Sequence, residues 1–112
     1  MAEGSVPSLY IQTANVPWEP LYPGVEIQSL YRDPVQNMHV MLMRYQPGAV
    51  IPTHRHTAVE HIFVLAGSVE DEFGACTAGN YALRPPGCVH SPGSRSGGLA
   101  LAISYGPTER VS

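Results

Sequence analysis

The sequence predicts an all-β protein of short strands, on the strength of its composition and of the alternation of its apolar residues. The chain has 112 residues, 11 of them Gly and 11 Pro. Both residue types break helices, so a mostly helical fold is excluded. Hydrophobic residues make up 44% of the chain and charged residues 13%. That balance argues against disorder and fits one domain with a single core.

Three segments are predicted along the chain. Residues 1–23 are Pro-rich and irregular, apart from a short apolar stretch at 9–11. We interpret them as an N-terminal arm that pairs with a sheet edge of its own chain or of a partner. Strand signals begin after Gly24, so a barrel domain is expected over 24–106, followed by a C-terminal tail over 107–112.

Alternation predicts strands over 25–30 and 38–45. Further short strands are expected near 50–56, 59–66, 68–73, 80–84 and 99–105. The breaks fall at Gly67, Gly74, Gly79, 85–87 and 97–98. Seven or eight strands at this spacing favour a β-sandwich or barrel, with no helix of consequence. The apolar side chains expected to line its interior are Val40, Leu42, Ile62 and Val64.

What the chain lacks excludes several function classes. It contains no Lys, which excludes a Schiff-base lysine and a Walker A loop. The net charge is −3 without a basic cluster, so no nucleic-acid partner is expected. No apolar run is long enough for a membrane span, and the first residues do not resemble a signal peptide. Two Cys are too few for a secreted disulfide scaffold, so a cytoplasmic protein is expected.

Four residues predict a metal site. His54 and His56 are two apart in a strand-like segment, so their side chains share a face. Glu60 can begin the next strand facing the same interior, and His90 follows a Pro-Pro-Gly turn. Three imidazoles and a carboxylate suit a divalent first-row metal and leave one or two coordination positions open. The alternative is a set of scattered polar residues on a surface hairpin.

The spacing of these residues resembles the two cupin motifs. The segment from Gly48 to Gly67 matches G-x5-H-x-H-x3-E-x6-G at every specified position. The segment from Gly79 matches G-x5-P-x-G-x2-H-x3-N, except that Ser94 replaces the terminal Asn. The resemblance implies a small jelly-roll β-barrel, or double-stranded β-helix, that forms a homodimer. It also implies one divalent metal ion per chain, with the ligands His54, His56, Glu60 and His90.

Residues 17–106 are also similar to one cupin subgroup. It includes the C-terminal cupin domain of zinc-containing anti-sigma factors and the dioxygenases that cleave acetylacetone or dihydroxyacetophenone. The resemblance implies zinc for the equivalent ligands of the former. In the acetylacetone-cleaving enzyme, three His hold ferrous iron and the Glu position is not a ligand. The presence of Glu60 here departs from that enzyme.

The favoured interpretation is a mononuclear non-haem Fe(II)-type dioxygenase acting on a small carbonyl, enolisable or hydroxyaryl ketone compound. The alternative is a non-catalytic zinc cupin that binds a small ligand or senses redox state. A metal cupin isomerase or sugar-modifying enzyme is a third class, disfavoured by the short inter-motif segment and the few basic residues. Zn, Mn, Ni and Cu remain open beside Fe. Residues 1–53 hold no Cys and one His, which argues against a sigma-binding zinc domain.

Other residues receive weaker assignments. Three are candidates for substrate contacts: Arg44, Tyr81 and Arg84. No acid–base residue is identified outside the ligand set. His39 and His61 are not assigned to the metal, and His61 is expected to face outward. Cys76 and Cys88 are expected to be small buried hydrophobes, although Cys88 could approach the metal. The acidic turn, Glu70 to Glu72, is expected to be a solvated face.

Overall fold

Twelve strands and one short 3-10 helix form the part of the chain that the computed structural model describes, residues 3–111. The 3-10 helix spans Thr13–Asn15. The strands are β1 (Glu19–Tyr22), β2 (Val25–Asp33), β3 (Met38–Tyr45), β4 (Ala49–Val50), β5 (His54–His56), β6 (Glu60–Asp71), β7 (Gly74–Thr77), β8 (Tyr81–Arg84), β9 (Val89–His90), β10 (Gly93–Ser94), β11 (Gly98–Tyr105) and β12 (Thr108–Arg110). The all-β prediction is confirmed.

The strands form a large curled sheet and a small one, in which all pairs are antiparallel. The large sheet has the order β1-β2-β3-β11-β6-β10-β4, and β7 and β8 also pair with β6. The small sheet has the order β12-β5-β9. Its middle strand carries two of the four predicted metal ligands and β9 carries a third, so the pairing of these short strands decides the site.

Gly67 lies inside the longest strand, not at a break between two strands as the sequence predicted. Its φ is +66°, and a Cβ added there would lie 2.1 Å from the carbonyl oxygen of Gly97. The register with β11 also shifts nearby, between Leu99 and Ala100. A glycine at such a bulge bends a strand without ending it. The first part of β6 therefore pairs with β8 and β11, and its last residues pair with β7 and β10.

The buried face of β3 is the opposite of the predicted one. Met41, Met43 and Tyr45 are buried, whereas Val40 and Leu42 are only half-buried on the outer face. The side chains of β3 alternate as predicted, but both faces of the strand are apolar. The period alone therefore does not tell which face packs inward. The rest of the core comprises Val25, Ile27, Ala49, Ile51, Ile62, Val64, Val69, Cys76, Ala100 and Ala102.

Both ends of the chain contribute strands. β1 pairs with β2, and the buried Gln28 amide donates hydrogen bonds to the carbonyl oxygens of Thr13 and Val16. β12 pairs with β5 beside the histidines. The division into arm, barrel and tail at 23 and 106 stays a prediction, and Met1, Ala2 and Ser112 lie outside the described residues. Over residues 3–111, no helix is long and apolar enough to cross a membrane.

Candidate metal centre

Three histidines converge because of one strand pairing. His54 and His56 face inward from β5, with the exposed Arg55 between them. β5 pairs antiparallel with β9 in a register that sets His54 opposite His90. The ring nitrogens that these three residues offer all lie within 4.8 Å of one another. The predicted convergence of the three imidazoles is therefore present.

The hydrogen bonds of two rings indicate which nitrogens carry lone pairs. His54 Nδ1 lies 2.8 Å from the carbonyl oxygen of Pro52, which only accepts, so Nδ1 carries the proton. His90 Nδ1 lies 2.8 Å from Asp71 Oδ2 and donates likewise. In the neutral form of either ring, Nε2 is then the acceptor. The Nε2 atoms of His54 and His90 lie 3.2 Å and 2.9 Å from His56 Nε2.

This donor set fits a metal ion. Two acceptor nitrogens that face a third ring nitrogen at contact distance are best satisfied by a shared cation. Neighbouring ligands about 2.1 Å from a metal, at right angles to each other, lie roughly 3 Å apart. The Nε2 separations of 3.2 Å and 2.9 Å agree with that value.

Glu60 lies beside the three histidines but outside their cluster. Its Oε1 is 4.0 Å from His56 Nε2, and its Oε2 accepts a hydrogen bond from the Ser104 hydroxyl. Burial raises the pKa of this carboxyl, against the opposing effects of the Ser104 hydrogen bond and the Arg84 charge. To join the histidines as a ligand, the carboxylate has to move towards them. Its role as the fourth ligand stays a prediction.

Burial favours the neutral form of His56 and His90. Desolvation, followed by the charges of His90, His54 and Arg84, lowers the pKa of His56 to about 4. Desolvation also lowers the pKa of His90, although the hydrogen bond with Asp71 opposes the shift. Neutral imidazole is the form that binds metals, so these two shifts favour metal binding.

Asp71 corrects the prediction of a solvated acidic turn. Its side chain is only 7% exposed. Oδ2 accepts the His90 hydrogen bond, while Oδ1 accepts the backbone N–H groups of Phe73 and Gly74 in the β6–β7 turn. Burial alone would raise the pKa of this carboxyl, but these hydrogen bonds and the Arg84 charge hold it below its usual range. Asp71 therefore orients His90, an arrangement common behind metal-binding histidines.

The histidines lie in a cavity of about 630 Å³. Small-molecule sites usually span about 300–1,000 Å³. Its apolar wall includes Ile27, Met41, Met43, Ile51 and Ile62. Of the residues predicted to line it, Ile62 does so, Val64 is buried in the core, and Val40 and Leu42 are on the outer face. Such a cavity combines a few polar groups with a largely apolar surface, as substrate pockets do.

Two of the three candidates for substrate contacts lie outside the cavity lining. Arg44 pairs with Glu26 at 2.9 Å and covers the Trp18 ring, outside the cavity lining. Tyr81 is exposed on the outer face, where its hydroxyl lies 2.6 Å from His61 Nδ1. Arg84 alone lines the cavity. Alternation places Tyr81 and Arg84 on opposite faces of β8, but it does not tell which face lines the cavity, because that depends on how the sheet curls.

The remaining candidates lie away from the three-histidine cluster. His39 contacts Ser29 Oγ through Nε2 at 2.8 Å, and His61 stacks on Tyr81. Both are outside the cluster, as predicted. Cys76 is buried and Cys88 half-buried, and both are free thiols. Cys88 does not line the cavity.

The family assignment follows from comparison with known proteins. The family described as the ChrR cupin-like domain matches residues 6–109. The chain belongs to this family. The resemblance inferred from the two motifs, and with it the cupin barrel, is thereby confirmed. No curated protein matches the sequence of this cupin.

Solved structures share the barrel of this cupin. An RmlC-like cupin protein from Ralstonia eutropha is 21% identical, with a TM-score of 0.87 over 100% of this chain and 77% of that chain. An acetylacetone dioxygenase from Acinetobacter johnsonii is 16% identical, with a TM-score of 0.82 over 100% and 82%. The anti-sigma factor ChrR of Rhodobacter sphaeroides, solved in complex with SigE, is 24% identical. Its TM-score is 0.73 over 83% of this chain and 51% of that chain. At these identities the matches show the fold.

Proposed function

We propose that this protein is a mononuclear non-haem iron dioxygenase that acts on a small carbonyl, enolisable or hydroxyaryl ketone compound. The observation that carries the proposal is the convergence of the Nε2 atoms of three histidines at the wall of a largely apolar cavity. The likeness to an acetylacetone dioxygenase supports the same reaction class.

The chain holds one divalent ion through His54, His56 and His90, with Glu60 as the fourth ligand. When bound, the ion supplies Lewis acidity and a template for substrate and dioxygen. Pro52 and Asp71 hold His54 and His90 in the tautomer that presents Nε2. The methionine and isoleucine side chains of the wall keep water from the reacting groups.

The alternative is a zinc cupin that binds a small ligand or senses redox state without catalysis. The likeness to ChrR favours it, and the ligand set suits zinc as well as iron.

The test is metal content per chain, measured by mass spectrometry on protein purified anaerobically from iron-supplemented cells. Near-stoichiometric iron, with oxygen uptake on a panel of diketones and hydroxyaryl ketones, supports the dioxygenase. Near-stoichiometric zinc without oxygen uptake supports the alternative.

A matched pair of variants controls this measurement. His56→Ala removes a ligand from the cluster, whereas His61→Ala removes an imidazole that contacts Tyr81 instead. Metal content is expected to fall in His56→Ala and to stay unchanged in His61→Ala. Equal losses would show that the measured metal is bound elsewhere.

The partner proposed for the chain is a second copy. Leu9 and Tyr10 of the arm are 83% and 86% exposed. Phe63, Leu65 and Leu83 are exposed on the outer face of the large sheet. Two exposed apolar surfaces on one chain support an arrangement in which each arm covers the outer face of the partner. The double variant Leu9→Ser, Tyr10→Ser is expected to shift the mass in light scattering from dimer to monomer; a monomeric native chain would refute the proposal.

A further inference from the structure

Arg84 is a buried cation at the metal centre. It ends β8, where the register sets it opposite Glu60, and its side chain lines the same cavity as the three histidines. The residue is only 9% exposed. Arginine is rarely buried to this extent unless its charge is paired.

The Nε atom of Arg84 is fully buried and has no hydrogen-bond partner within residues 3–111. The charge of Arg84 is paired with Asp71 only through a long contact, 3.9 Å from Nη1 to Oδ2, which is beyond hydrogen-bond distance. Asp71 already accepts hydrogen bonds from His90, Phe73 and Gly74. The donors of Arg84 are therefore available to a molecule that enters the cavity.

The charges at the site favour an anion. With a divalent ion bound, the ion, Arg84 and Arg32 provide four positive charges, and Asp71, Glu60 and Asp33 provide three negative charges when all are ionised. One positive charge then remains uncompensated. In a largely apolar cavity such an excess attracts an anion strongly.

We infer that Arg84 binds the carboxylate of the substrate, so that the substrate is a small oxo acid and not an uncharged ketone. The planar guanidinium group fits a carboxylate through two parallel hydrogen bonds. The inference rests on the proposed function, because the carbonyl end of the same molecule is then left to face the three histidines. It narrows the substrate class to enolisable carbonyl compounds that carry a carboxylate.

The test compares two probes on zinc-loaded protein, in which no oxidation occurs. Acetoacetate carries the carboxylate, and methyl acetoacetate has the same skeleton without the charge. Calorimetry is expected to show tighter binding of acetoacetate by the native chain. Arg84→Met is expected to weaken acetoacetate binding about 10- to 100-fold and to leave the ester unaffected. Acetylacetone, whose enolate carries no carboxylate, is expected to respond like the ester.

Two further variants separate this role from a structural one. Arg95→Met removes an exposed arginine outside the cavity and is expected to bind both probes like the native chain. Arg84→Lys keeps the charge without the planar guanidinium group, and it is expected to retain part of the preference for acetoacetate. It also supplies the comparison if Arg84→Met does not fold. Zinc content is measured in every variant.

Equal acetoacetate affinity in the native chain and in zinc-loaded Arg84→Met would overturn the carboxylate site and leave the metal centre intact. So would tighter binding of the ester than of acetoacetate. A native chain that binds no zinc would overturn the proposed metal centre. The charge excess on which the carboxylate site depends would then be absent, so this result would overturn that site as well.

Discussion

Substituting Asp71 by Asn tests whether the carboxylate behind His90 prepares the metal centre. The variant keeps the size of the side chain and one carbonyl oxygen, which can still accept the N–H groups of Phe73 and Gly74. It replaces the Oδ2 atom that accepts the 2.8 Å hydrogen bond from His90 Nδ1 by an amide group, which only donates. The neutral His90 ring then favours the tautomer with its proton on Nε2, which cannot bind a metal.

The expected loss of metal affinity is about 10- to 100-fold, the usual effect of removing such a partner. This corresponds to about 1.4 to 2.7 kcal/mol. The assay is a zinc titration in competition with a chromophoric chelator, with thermal unfolding of the metal-free protein as a check on the fold. Because Asn preserves the turn contacts, the two metal-free proteins are expected to unfold at similar temperatures.

Glu72→Gln provides the matched control. Glu72 is exposed on the same turn, and its Oε1 accepts the N–H of Ser91 at 2.8 Å without contacting the His90 ring. This variant removes the same charge from the turn but is expected to keep native zinc affinity. Native affinity in Asp71→Asn would refute the orientation argument, and equal losses in both variants would reduce it to a general charge effect.

Three other predictions concern titration, backbone and ligand set. In urea unfolding of the metal-free protein, stability is expected to fall by about 2 to 3 kcal/mol between pH 7 and 4.5 from His56 alone. The pKa of His56 in the folded chain, about 4, lies below the ordinary 6.5, so protons bind the unfolded chain more tightly. The variant His56→Gln is expected to flatten this pH dependence. An equally steep dependence in the variant would contradict the assignment of the effect to His56. Gly67→Ala is expected to cost at least about 2 kcal/mol, since the added Cβ meets the Gly97 carbonyl at positive φ. Gly74→Ala, where a Cβ meets nothing within 4 Å, is the control and should cost much less. Glu60→Gln is expected to weaken zinc binding at least about tenfold in the chelator assay, because it removes a charged ligand; unchanged affinity would mean that the three histidines alone hold the metal.

The sequence alone indicated the all-β class and the approach of His54, His56 and His90. These inferences succeed because they depend on local rules. Alternation along a strand places residues two apart on one face, and Gly and Pro mark the turns between strands. Two of the predicted ligands, His54 and His56, lie within one three-residue strand, so their common direction needs no knowledge of the rest of the fold.

The tertiary structure decided which faces point inward and which polar groups meet. Val40 and Met41 are similar in hydrophobicity, and only the curl of the large sheet buries the second. Asp71 reaches His90 across 19 positions of sequence, because the β6–β7 turn folds against β9. Alternation puts Tyr81 and Arg84 on opposite faces of β8, and only the curl of the sheet turns the Arg84 face towards the cavity. Pairings between distant segments depend on the register and curvature of the whole sheet, which no local pattern specifies.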